Sequence, residues 1–314
     1  MGRLVSVFFL LCLFFGGLFL LRPKALPLDS PVPKVFGSSK SQIINNWFPK
    51  GKKEPDETLL SLSAKSVLAV NYENGDVLFE NNINEKLPVA STVKIMTALV
   101  VLENVDVNSI FTVTDKAAKV GENSMGLTAG EKLTVKELLY GLMLVSGNDS
   151  AVTLAEGVSG TEEKFVEMMN EKVQSLGLKN TKFINASGLD EDGKVQYSTA
   201  YDLAVISHYV WENYPMFRDI SSTFHQFIDS TNRHKEFDLY NDTNLLTTYP
   251  GVMGIKPGFT WEAGLCLVTY AENDGKKIIA VILGSENRRG EMKELLDYSF
   301  SQYGITVFHP ALDL

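Results

Sequence analysis

The residues best suited to covalent chemistry in this chain are a serine and a lysine three positions apart, Ser91-Thr92-Val93-Lys94, the only Ser-x-x-Lys in its 314 residues. Ser91 follows Leu87-Pro88-Val89-Ala90 and opens an apolar helical pattern, so Lys94 falls on the same helix face within reach of the hydroxyl. A helix N-terminus presents backbone N–H groups and a partial positive charge where an oxyanion would develop. A lysine in a dry pocket beside another cation gives up its proton more readily, which makes it a base near neutral pH and its serine a nucleophile. Histidine offers no rival base. The four, His208, His225, His234 and His309, lack H-E-x-x-H spacing and a partnered cysteine, and there is no G-x-S-x-G elbow. Cys12 and Cys266 provide neither a disulfide framework nor a thiolate metal cluster, and no cofactor is expected. Taken alone, the Ser-x-x-Lys spacing also fits a capped helix with a solvated lysine, so the surrounding elements must decide.

Those elements read as an α+β domain. Ordered structure is expected to begin near Ser63, where AKSVLAVNYENGDVLFEN places two β-rich runs around Asn74-Gly75. A second hairpin, LCLVTYAENDGKKIIAVILG, turns at Asn273-Asp274-Gly275. Between them the periodicity predicts helices over Val93–Leu102, Val135–Val145, Ser150–Glu156, Glu162–Leu176 and Thr199–Val210, the second opened by the capping-box pattern Thr134-Val135-Lys136-Glu137. A last helix fits Gly290–Phe300. Strands at both ends enclosing a helical middle predict terminal hairpins joined in one antiparallel sheet. Two further polar groups sit at the ends of these elements: Ser146-Gly147-Asn148 after an apolar helix, and Lys256-Pro257-Gly258 just before the last hairpin. In isolation the first reads equally as a helix-to-helix turn and the second as a surface lysine.

Composition excludes several classes. The chain is 45% apolar and 21% charged, a globular balance. Residues 58–314 hold 34 acidic against 21 basic side chains, which argues against nucleic acid as a partner. Residues 4–21 form an uncharged apolar run of 18 residues, as a helix about 27 Å long and close to a hydrocarbon core. It is longer than a signal-peptide core and ends in Leu20-Leu21-Arg22-Pro23-Lys24, so residues 1–22 are expected to be an uncleaved transmembrane anchor rather than a cleaved signal peptide. Arg22, Lys24, Lys34 and Lys40 behind the run oppose export on charge count alone. Residues 23–57, rich in Pro, Ser and Lys, read as a linker, although Ile43, Ile44, Trp47 and Phe48 also suit the first part of a fold.

The three polar groups, in this order and with these flanks, resemble the low-molecular-mass penicillin-binding proteins, the serine D-Ala-D-Ala carboxypeptidases of the peptidase S11 family, whose elements are SxxK, SxN and KTG. The likeness runs from about residue 62 to 303 through LPVASTVKIMTALVVLE, Ser124-Met125-Gly126-Leu127 with AGEKLTVKELLYGLMLVSGNDSAVTLAE, LGLKNTKFINASGLD, YSTAYDLA and YPGVMGIKPGFT. It implies the penicillin-binding-protein and β-lactamase type of α+β fold, with an antiparallel sheet and a helical subdomain, over residues 58–314. It also implies roles. Ser91 attacks the carbonyl between the terminal D-alanines of a peptidoglycan stem peptide and Lys94 takes its proton. Ser146 relays the proton to the leaving D-alanine, while Asn148 holds Lys94 and the substrate amide. Lys256 provides a positive field for the substrate carboxylate. The backbone N–H groups of Ser91 and Phe259, beside Gly258, form the oxyanion hole. Arg288 or Arg289 stands where the family often has an arginine for that carboxylate.

By the same resemblance β-lactams are covalent inhibitors, and the domain faces the outside of the cytoplasmic membrane. Pro257 departs from the family's usual threonine and removes a hydroxyl and one backbone donor, a change tolerable on an edge strand. The C-terminal β-rich domain and amphipathic membrane helix of many relatives find no counterpart before Leu314, which leaves attachment to the N-terminus. Alternatives are a non-catalytic peptidoglycan-binding protein, a DD-endopeptidase with the same motifs, and a β-lactamase, for which no omega-loop glutamate is evident.

Overall fold

The computed structural model describes residues 46–51, 60–243 and 245–309, all within one unit, Ile44–Leu314. In chain order the elements are β1 (Ser66–Asn71), β2 (Val77–Asn81), a 3₁₀ turn (Ala90–Val93), α1 (Lys94–Asn104), β3 (Ile110–Thr112), α2 (Asp115–Ala118), β4 (Lys132–Thr134), α3 (Val135–Met143), α4 (Asn148–Ser159) and α5 (Glu162–Ser175). They continue as α6 (Ala200–Asn213), α7 (Pro215–Ser221), β5 (His225–Ile228), β6 (Phe237–Tyr240), α8 (Leu245–Thr248), β7 (Val252–Thr260), β8 (Gly264–Asn273), β9 (Lys276–Ser285) and α9 (Arg288–Ser301).

Five strands pair antiparallel in the order β2-β1-β9-β8-β7, so the first and last hairpins share one sheet, as the pattern predicts. Side chains alternate across it. Leu68, Val70, Ile279, Val281, Val268 and Tyr270 face one apolar cluster with the helical region, while Val67, Ala69, Ile278, Ala280, Ile282 and Leu267 face a second cluster. Met292, Leu295, Leu296 and Phe300 of α9 close the second cluster, which makes the sheet core of a sandwich buried on both faces. That is why β9 reads as the continuous apolar run IIAVIL rather than as an alternating strand. α1 lies at the centre of the helical region, buried from Lys94 to Leu102 and packed on α4, α5 and α6.

Each predicted helix is present, and all but α1 and α4 have their start fixed by a capping side chain, Thr161 for α5 among them. Thr134 and Glu137 form the capping box of α3, and Thr199 and Asn287 cap α6 and α9. α4 starts at Asn148 rather than Ser150, which puts Asn148 in its first turn. At Asp274-Gly275 both turn residues have positive φ (46° and 71°), the twist that closes a tight hairpin. The β3–β4 and β5–β6 ribbons, α2, α7 and α8 carry too short a pattern to be read from sequence.

The predicted anchor, residues 1–22, lies outside the described residues, as does most of the predicted linker. Its described part, residues 46–51, packs on the domain: the Trp47 ring stacks on His208 at 4.0 Å and the Lys50 amide donates to Gly75 O. Among the described residues no helix is long and apolar enough to cross a membrane.

Candidate active site

Ser91 sits not in the α-helix but in the 3₁₀ turn before it, with Lys94 the first residue of α1. The entry is strained, since Ala90 is held at φ 46°, a left-handed conformation that costs a non-glycine residue on the order of 1 kcal/mol or more. Gly188 explains what holds it: a Cβ there would lie 2.2 Å from Ala90 O, so the turn at residues 185–188 presses directly on the serine's backbone. Thr97 of α1 donates to Ala186 O at 2.7 Å and ties the same two segments together.

Lys94 is fully buried, and its Nζ stands 3.0 Å from Ser91 Oγ, 2.8 Å from Asn148 Oδ1 and 2.5 Å from Ser187 O. Two of these three neighbours are carbonyl oxygens and can only accept; the serine hydroxyl alone can donate. A neutral amine that gives its two protons to Asn148 and Ser187 therefore turns its lone pair to the Ser91 hydroxyl. Burial, with the field of Lys256 second, pushes the Lys94 ammonium well below the ordinary lysine range. Burial and the neighbouring cation favour the neutral amine, and the geometry lets that amine accept the Ser91 proton.

Ser146 and Lys256 complete the opposite side. Ser146 holds φ 57°, a second strained non-glycine residue, and its Oγ is buried without a hydrogen-bond partner among the described residues. Lys256 on β7 is fully buried, and its Nζ has no hydrogen-bond partner among the described residues. Burial lowers the Lys256 pKa to about 7; Asp242 opposes this and Arg288 adds to it. Buried polar groups are almost always paired, so two orphans facing one cleft mark the place of a ligand. That cleft, about 380 Å³, is lined by Ser91, Ser146, Asn148, Lys256 and Arg288 among others, a size suited to the end of a peptide.

β7 is the edge strand of the sheet and runs beside the nucleophile turn. A Cβ on Gly258 would lie 3.0 Å from Ser91 N, so glycine is what lets the strand come this close. Pro257 pairs with Leu267 at this edge and lines the cleft, where its missing N–H breaks no inner ladder. Phe259 also lines the cleft, with its ring 5.5 Å from that of Trp261. Of the two candidate arginines the structure brings only Arg288 to the cleft, donating from Nη1 to Gly258 O at 2.6 Å. Arg289, next on the same helix, turns about 100° away and does not line it. None of the four histidines lines it either: His208 is buried under Trp47, where desolvation lowers its pKa to about 4. Among the described residues no group of His, Cys, Asp and Glu could hold a metal ion.

Sequence reasoning left several participants without a role. Ser187 lies in the quoted NASGLD stretch, where the glycine at 188 was the one available signal. Asp149, adjacent to Asn148, accepts from Ser124 Oγ and from the amides of Met125, Gly126 and Leu127, which fastens that loop to α4 beside the cleft. Glu122, Asn123 and Asp242 are further lining residues that no local pattern announces.

The chain's likeness to known proteins agrees with this arrangement. The family described as D-alanyl-D-alanine carboxypeptidase (peptidase S11) matches residues 51–287. D-alanyl-D-alanine carboxypeptidase DacF of Bacillus subtilis is 39% identical over 252 residues, covering 78% of this chain and 64% of that protein. The chain therefore spans less than two thirds of that relative's length. Among solved structures, the Streptomyces K15 DD-transpeptidase is 30% identical, with a TM-score of 0.73 over 78% of this chain and 99% of that one. Penicillin-binding protein D2 from Listeria monocytogenes, in an ampicillin-bound form, is 30% identical with a TM-score of 0.69, covering 78% of this chain and all of that one.

Proposed function

The chain belongs to the D-alanyl-D-alanine carboxypeptidase family of serine peptidases, and we propose that it removes the terminal D-alanine from peptidoglycan stem peptides through an acyl-enzyme on Ser91. The observation that carries this reading is the Lys94 environment, in which the only neighbour able to donate to the amine is the Ser91 hydroxyl.

In the first step Ser91 Oγ bonds to the carbonyl carbon between the two D-alanines while its proton passes to Lys94 Nζ. The Ser91 and Phe259 amides stabilise the oxyanion; one such donor is typically worth about 10²- to 10³-fold in rate. The C–N bond then breaks, and the proton held by Lys94 reaches the leaving amine through Ser146 Oγ. Water attacks the ester, gives a proton to Lys94, and Ser91 recovers it as the acid departs. Lys256 and Arg288 face the terminal carboxylate, and Ser146 Oγ and Lys256 Nζ, unpartnered among the described residues, are available to the substrate. A β-lactam acylates the same serine. The domain works outside the cytoplasmic membrane, tethered by residues 1–22.

The test is D-alanine release from a D-Ala-D-Ala pentapeptide by the full chain. Wild type releases it and Ser91→Ala falls by at least about 10³-fold, the order seen when a nucleophile is removed; equal release by both proteins defeats the proposal. A fluorescent penicillin followed by membrane fractionation and N-terminal sequencing checks the tether, since a labelled protein starting near residue 26 shows the anchor has been cut.

A further inference from the structure

The Asn148 side-chain amide serves Lys94 in only one of its two orientations. Lys94 Nζ stands 2.8 Å from Asn148 Oδ1, while Asn148 Nδ2 donates to Gly121 O at 2.9 Å. A carbonyl can only accept, so Gly121 O is what turns the oxygen of the amide toward the lysine. A flipped amide would offer Lys94 an N–H and occupy the lone pair that must take the Ser91 proton. The Asn148 backbone amide leans on the same loop, donating to Asn123 O at 2.8 Å. Residues 121–127 belong to no helix or strand, so their own backbone does not hold them in place.

What holds them is the next residue of α4. Asp149 is 1% exposed, and both its oxygens are filled. Oδ2 accepts from Ser124 Oγ at 2.6 Å and from the amides of Gly126 and Leu127, each at 2.9 Å. Oδ1 accepts from the amides of Met125 at 2.9 Å and Ser150 at 2.8 Å. A carboxylate this deep is tolerated only when its oxygens are satisfied, and all these donors except Ser150 lie in residues 124–127. Neighbouring residues of one helical turn thus meet one loop at two points: Asp149 holds residues 124–127, and residues 121 and 123 hold Asn148.

The geometry points to Asp149 as a positioning residue for acyl transfer: by fixing residues 124–127 to α4 it keeps Gly121 O against Asn148 Nδ2, and so keeps Asn148 Oδ1 rather than Nδ2 on Lys94. The assignment rests on the Ser91 acyl-enzyme reading above. Asp149 does not line the cleft, so its effect on the reaction passes through the Asn148 amide and disappears where that amide is absent.

A double-mutant cycle tests this on the full chain, read as the rate at which a fluorescent penicillin labels Ser91. Asp149→Asn puts an N–H among the loop's donors and slows labelling by about tenfold, the rate worth of one hydrogen bond. Ser124→Ala removes a single donor, remains available should Asp149→Asn fail to fold, and slows labelling by about threefold. In an Asn148→Ala background either substitution changes the rate by less than about twofold. A role confined to holding the fold together lowers Tm and slows labelling equally in both backgrounds. The direct action of the Asp149 charge on Lys94 would likewise persist in both. Equal slowing in the two backgrounds, or labelling at the wild-type rate by both variants, overturns the assignment. A wild-type chain that takes up no penicillin is a separate outcome, which overturns the acyl-enzyme reading itself and this inference with it.

Discussion

On the helical wall of the cleft Lys94 is buried with three hydrogen-bond partners, whereas on the strand wall Lys256 is equally buried with none among the described residues. The helical wall is already assembled: α1, α4 and the turn at 185–188 hold Lys94 Nζ against the Ser91 hydroxyl. The strand wall is left incomplete. Its ammonium keeps a high solvation deficit that a substrate carboxylate can relieve, which converts folding strain into binding. The contrast teaches that two equally buried lysines differ in what surrounds them: Lys94 is aimed at the Ser91 hydroxyl, while Lys256 has no partner among the described residues and stays open to an anion.

The largest expected effect tests the finished wall. Lys94→Met abolishes the base and lowers acylation by a fluorescent penicillin by at least about 10³-fold. It also lowers Tm, because Asn148 Oδ1 and Ser187 O lose their donor, at about 1–3 kcal/mol for a buried group left unsatisfied. An unchanged Tm would show that the network does not stabilise the fold.

Asn148→Ala comes next. It removes one acceptor from Lys94 and the donor to Gly121 O, so acylation is expected to slow by about 10²-fold while Ser91 can still be labelled. Labelling at the wild-type rate breaks the claim that two carbonyl acceptors aim the lone pair.

Lys256→Met should split function from stability. Activity falls by about 10- to 100-fold in kcat/KM through weaker carboxylate binding. Tm stays level or rises by about 2 to 4 °C, because an unpartnered buried ammonium is replaced by an apolar chain of similar volume. A Tm drop like that of Lys94→Met would erase the distinction between the walls.

The same residue sets a pH signature. The folded-state Lys256 pKa of about 7 lies below the ordinary 10.5, so between these values the unfolded chain binds the extra proton and stability rises with pH. Below about pH 7 the full burial penalty is present; Lys256→Met removes its share of this slope and leaves that of Lys94, which a series of denaturant melts would reveal. In kinetics, kcat/KM rises as Lys94 loses its proton and falls above about pH 7 as Lys256 becomes neutral. A flat profile from about pH 6 to 9 breaks the pairing of roles.

The smallest effect belongs to Pro257→Thr. On the edge strand it restores a hydroxyl and an N–H without disturbing the inner ladder, so Tm is unchanged and substrate KM improves by about three- to tenfold, the net worth of one ordinary hydrogen bond. No gain in KM would mean that the strand wall binds its carboxylate without residue 257.

By itself the sequence determined the elements and the chemistry that local rules encode. The Asn74-Gly75 and Asp274-Gly275 turns, the Thr134–Glu137 capping box and the three-residue spacing of Ser91 and Lys94 act within one or two turns of chain, so their residue types are sufficient. The order of SxxK, SxN and the Lys256 strand also carried the family. Tertiary structure decided everything that depends on distant segments meeting. Ser187 O reaches Lys94 across 93 residues, Gly188 presses on Ala90, Asp149 fastens residues 124–127, and Glu122 ends in the cleft. It also chose between Arg288 and Arg289, a choice set by helix phase and the path of β7. The burial that lowers the pKa of both Lys94 and Lys256 exists only once the helices close over the sheet, because desolvation belongs to the packed environment and not to the residue.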